Sequence, residues 1–115
     1  MTIKTKRIYE PAAATDGYRV LVDRLWPRGL TKEAAGIDRW MKEVAPSNEL
    51  RTWFHAHMDQ WDEFGARYKA ELNDSDALHA LRSLVLENEV VTLLFSAKTE
   101  DRNQALVLKE LLEKA

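Results

Sequence analysis

Residues Val20, Leu21 and Val22 form an unbroken aliphatic run, and only a few residues later the chain turns through Trp26-Pro27-Arg28-Gly29. An apolar run without polar alternation reads as a strand covered on both faces. The turn stops it, because Pro27 has no N–H to donate and Gly29 tolerates positive φ. Between run and turn stand Asp23 and Arg24, opposite charges at the end of a buried element. Charge is costly there unless it is paired or used. The corner Asp23–Gly29 is therefore the candidate site, and Tyr18–Leu25 the candidate central strand. Val90–Ser96 is a second run with apolar residues on both sides, so it too reads as central.

The segments between these runs carry helical periods. Thr31–Gly36 suits one helical turn, with Thr31 as N-cap and Gly36 just past its end. Ser47 is a good N-cap for a helix to about Ala56, with Leu50, Trp53 and Phe54 inward. Asp59 or Gln60 to Leu72 is the clearest amphipathic helix, its stripe made by Trp61, Phe64, Tyr68 and Leu72. Asn73-Asp74-Ser75 breaks it and caps the next, in which Leu78, Leu81, Leu84 and Val85 face inward. Asp101, three residues before Gln104, resembles a capping box for a last helix packed through Ala105, Leu108, Leu111 and Leu112. Ile3–Tyr9 alternates like a strand with one polar face, nearer an edge. Ala12–Gly17 is a short helix or a loop. Ile37–Ala45 is ambiguous: its period favours a helix, whereas Pro46 favours an extended segment.

Strands separated by helices imply an α/β layer fold: one domain, residues 1–115, with a mainly parallel sheet of about four strands flanked by helices. Right-handed crossovers bring the carboxyl ends of parallel strands to one edge, where ligands of such folds sit. The turns Asp23–Gly29 and Ser96–Arg102 are then neighbours. Composition narrows the chemistry further. The 115 residues include no cysteine, which removes disulfides, thiolate zinc sites and cysteine nucleophiles. The net charge of −2 gives no global basic field for nucleic acid. The N-terminal MTIKTKRIYE lacks the apolar stretch of a signal peptide, and no run approaches the ~20 apolar residues of a membrane span. A cytoplasmic protein with no membrane partner is expected. There is no P-loop, G-x-G-x-x-G or zinc signature, so no cofactor is expected. His55 and His57 diverge if they lie on a helix, and no metal site is read from them.

The residues at 20–29 (VLVDRLWPRG), 40–47 (WMKEVAPS), 49–54 (ELRTWF), 61–72 (WDEFGARYKAEL) and 92–105 (TLLFSAKTEDRNQA) resemble the DUF488 family, most closely its YeaO-like branch. The family has no settled activity. The resemblance implies a small α/β domain, and with it strand character at 37–45. Members of the wider family carry a Cys-His-Arg run after the last strand. Here that stretch is Asp101-Arg102-Asn103-Gln104, so thiol chemistry proposed for those relatives cannot operate.

The leading reading is a protein that binds an anionic small molecule, a phosphate or a carboxylate, at the carboxyl edge of its sheet. Arg24, Arg28 and Lys98 hold the anion and Trp26 walls the pocket. Lys42, Ser47 and Asp101 are further ligand-binding candidates. Whether it is an enzyme stays open; if so, Asp23 is the base and Lys98 the electrostatic stabiliser. The alternative is a non-catalytic ligand-sensing or protein-interaction module. A nucleic-acid accessory using Lys4, Lys6 and Arg7 is disfavoured by the acidic balance. Self-association is left open.

Overall fold

The two apolar runs form the middle of one sheet. A computed structural model describes residues 1–114. Its strands are β1 (Thr2–Arg7), β2 (Tyr18–Leu21), β3 (Arg39–Trp40) and β4 (Val90–Phe95), in the order β1-β4-β2-β3. All neighbours pair in parallel, so every carboxyl end lies along one edge, as the α/β reading expects. The central strand is shorter than the expected Tyr18–Leu25. Its ladder ends at Leu21, although the Val22 N–H still donates to the Leu94 carbonyl at 3.0 Å. The ambiguous 37–45 segment divides: two residues pair as β3, and Lys42–Val44 closes a 3-10 turn.

The helices start where short polar side chains cap them. Thr31, Ser47 and Ser75 each accept the N–H three residues on, opening α1 (Lys32–Ala35), α2 (Asn48–Ala56) and α4 (Asp76–Glu87). The α3 helix spans Trp61–Leu72 and α5 spans Gln104–Glu113. The cap of α5 is a correction: Asn103, not Asp101, accepts the Leu106 N–H, at 3.2 Å. Gln104 turns away from the helix end, toward Asp23.

The sheet is covered unequally. Val20, Val22, Val91, Leu93 and Phe95 enter the main core with Phe64 and Tyr68 of α3, Leu81 of α4 and Leu108 of α5. Truncating a buried aromatic such as Phe64 costs about 3–5 kcal/mol in comparable cores. On the other face, Ile8, Leu21, Leu94 and Ala35 form a smaller cluster against Trp26 and Trp40. Beside it lies a buried polar clamp. Asp16 accepts from Lys6 Nζ at 3.1 Å and from Arg19 Nη1 at 2.5 Å. Arg19 also donates to the Ala35 and Gly36 carbonyls at 2.9 Å, where α1 leaves carbonyls unpaired. The Thr92 hydroxyl donates to the Asp16 carbonyl at 2.6 Å. Gly17 enters β2 with φ +65°, and a Cβ there would collide with the Val90 backbone, so glycine is required.

Candidate functional site

The parallel ladder delivers the loops after β2 and β4 to the same edge, and a cleft of about 490 Å³ opens between them. That lies within the ~300–1,000 Å³ of small-molecule sites. The loop after β2 supplies Asp23, Arg24, Trp26 and Arg28, and the loop after β4 supplies Ser96, Lys98 and Arg102. The far wall is α2, which contributes Arg51, Phe54 and His55.

Asp23 is the hinge of this edge. It is only 7% exposed. One carboxylate oxygen accepts the Ser96 N–H at 2.8 Å, and the other accepts from the Gln104 amide. Its backbone carbonyl accepts the Trp40 indole N–H at 2.7 Å. The side chain therefore ties the β2 loop to the β4 loop and to the start of α5. Burial raises its pKa above the ordinary value of 3.8; the bonds from Ser96 and Gln104 and the charge of Arg51 pull the other way without cancelling it.

The cations divide into two kinds. Arg24 donates to the Pro46 and Ala45 carbonyls at 3.3 Å, and Arg102 donates to the Met58 carbonyl at 2.5 Å. These two brace the walls. Arg28, Arg51 and Lys98 are exposed, and among the described residues none takes part in an ion pair. Among the described residues no guanidinium of the cleft forms an ion pair with Asp23 or with any other carboxylate. Among the described hydrogen bonds, none runs from Lys98 to a carbonyl of its own turn. Among the described residues, five Arg or Lys side chains line the cleft against one carboxylate.

Trp26 lines the cleft, but it is anchored beneath: its indole N–H donates to the Leu30 carbonyl at 2.6 Å, and its ring meets Trp40 edge-on at 5.4 Å. Lys42, Ser47 and Asp101 lie outside the cleft. Lys42 sits over the Trp40 ring at 5.2 Å. The Ser47 hydroxyl caps α2 and donates to Glu71 at 2.6 Å. Asp101 is exposed on the β4–α5 loop. His55 reaches the cleft, whereas His57, just past the end of α2, stacks its ring on Trp53 at 4.8 Å, so the two rings part.

Arg51, Gln104 and the apolar floor of Phe54, Met58 and Phe64 are cleft residues that the sequence reading did not assign. A signal for Arg51 existed. Arg51 and His55 stand four apart, one position after the inward Leu50 and Phe54, which puts them on the helix flank beside the core.

A family model described as the inactive DUF488-N3 subclade matches residues 2–115. The chain is 44% identical over 112 residues to the uncharacterised protein YeaO of Escherichia coli, covering 97% of each. It is 44% identical over 110 residues to an uncharacterised protein of Mycobacterium tuberculosis, covering 96% of this chain and 92% of that one. No solved structure matches it. By the span of the family match and by this identity, the chain belongs to the DUF488 family, in its YeaO-like branch.

Proposed function

We propose that this protein binds an anionic small molecule in the cleft at the carboxyl edge of its sheet, and that it does not turn that molecule over. One observation carries the reading. Among the described residues, five cationic side chains line the cleft against a single carboxylate, in a chain whose net charge is −2. Three of them, Arg28, Arg51 and Lys98, have heads left to offer. A charge-assisted hydrogen bond contributes about 1.5–3 kcal/mol, so a few of them suffice for a small ligand.

Two observations support binding without catalysis. Both oxygens of Asp23, the one carboxylate that lines the cleft among the described residues, already accept hydrogen bonds. The matching family model is also described as inactive. The absence of cysteine fits a reducing cytoplasm. Among the described residues no helix is long and apolar enough to cross a membrane.

The test is thermal unfolding across a panel of phosphorylated metabolites at low and high salt. A ligand at a hundred times its Kd adds roughly 2.7 kcal/mol. For 115 residues that raises Tm by roughly 11 °C. The gain should shrink with salt and in Arg51→Ala and Lys98→Ala. A panel without a single stabilising anion sinks the reading.

Acid–base catalysis by Asp23, with Lys98 as electrostatic stabiliser, is the second reading, favoured by the burial that raises the Asp23 pKa. It requires Asp23→Asn to keep ligand binding and lose turnover. Equal turnover in that variant eliminates the role.

A further inference from the structure

Resting on the anion-binding reading, the geometry points to a more definite ligand: a phosphate monoester carried on a flat apolar body, rather than a bare anion. The size of the cleft is the first reason. Its ~490 Å³ lies within the ~300–1,000 Å³ range of clefts that hold whole small molecules. One phosphate group leaves most of that space unfilled.

The lining is the second reason. Beneath the cationic rim the floor is aromatic and aliphatic. Phe54 and Phe64, both lining the cleft, stack at 4.1 Å with their planes 18° apart. Met58, half-buried, continues this floor. On the opposite side Leu25 lines the cleft while remaining 60% exposed, and Trp26 stands next to it. An exposed leucine between Arg24 and Trp26 in the chain gains nothing from water, but it gains from an apolar ligand laid against it.

The charge count is the third reason. Among the described residues, Arg28, Arg51 and Lys98 are three cations without an ion-pair partner. A phosphate monoester brings close to two negative charges near neutral pH and three acceptor oxygens; a carboxylate brings one charge and two oxygens. The dianion matches the unpaired cations better. The two halves of the ligand thus answer to two parts of the cleft, its charged rim and its apolar floor.

Isothermal titration of the full chain with phenyl phosphate, inorganic phosphate and benzyl alcohol separates the possibilities. Phenyl phosphate should bind at least tenfold more tightly than either of the other two. Arg51→Ala should weaken phenyl phosphate and inorganic phosphate together. Leu25→Ser, at an exposed position that the fold tolerates, should weaken phenyl phosphate alone. If inorganic phosphate binds as tightly as phenyl phosphate, the apolar half of the inference is overturned while the anion site stands. If benzyl alcohol binds as tightly, or if none of the three binds, both the inference and the anion reading fall.

Discussion

Replacing Tyr68 by Phe removes one oxygen atom and tests how the wall of the cleft is held. Tyr68 on α3 is wholly buried, and its hydroxyl donates to the Val44 carbonyl at 2.5 Å. Val44 is buried too and ends the turn after β3. The next two carbonyls, of Ala45 and Pro46, are those that Arg24 grips from the cleft. In Tyr68→Phe the ring keeps its packing, but the Val44 carbonyl loses its donor in a place water does not reach. An unsatisfied buried acceptor costs about 1–3 kcal/mol. With ~2.1 cal/mol/K per residue of unfolding entropy, 115 residues give ~240 cal/mol/K, so Tm falls by roughly 4–12 °C. Urea unfolding should show a lower midpoint with an unchanged slope. The pH dependence adds a second check. Burial, and then the charges of Glu71 and Asp23, hold the Tyr68 hydroxyl well above 10.0 despite Arg24. It therefore stays protonated in the folded protein after the unfolded chain has begun to lose that proton. Above pH ~10 the folded state holds more protons, and the wild type loses stability as pH rises. The deficit of the variant should be constant from pH 6 to 9 and narrow beyond 10. A deficit under ~0.5 kcal/mol at pH 7, or one that varies between pH 6 and 9, refutes this account.

Further expectations concern the two buried acids. The folded pKa of Asp23 is raised, so between 3.8 and that higher value the folded state binds more protons than the unfolded one, and stability falls as pH rises through the window. Asp23→Asn lacks this slope; paired urea melts from pH 4 to 7 should show the wild type losing ground to the variant, and the opposite trend would overturn the burial argument. Asp16→Ala strands the buried Arg19 guanidinium without its carboxylate, which costs about 3–5 kcal/mol. Calorimetry should find Tm lower by roughly 12–20 °C, and the double variant Asp16→Ala/Arg19→Met should recover part of it; no recovery would show that charge stranding is not the cause.

Local chemistry alone specified much of this chain. The runs Val20–Val22 and Val91–Phe95 declare interior strands, because no polar alternation interrupts them. Thr31, Ser47 and Ser75 declare helix starts, because a cap reaches only three residues along its own segment. Parallel pairing then brings the Asp23 and Ser96 loops to one cleft. Tertiary structure decided who holds each charge, since partners come from distant segments. Asp23 went to Ser96 and Gln104, 73 and 81 residues on, and Arg24 went to carbonyls more than twenty residues away. The same contest gave the α5 cap to Asn103 instead of Asp101 and laid Lys42 over Trp40. Hydropathy marks which segments are interior, but a hydrogen bond is settled by the approach of two atoms in space, and only the folded chain sets that distance.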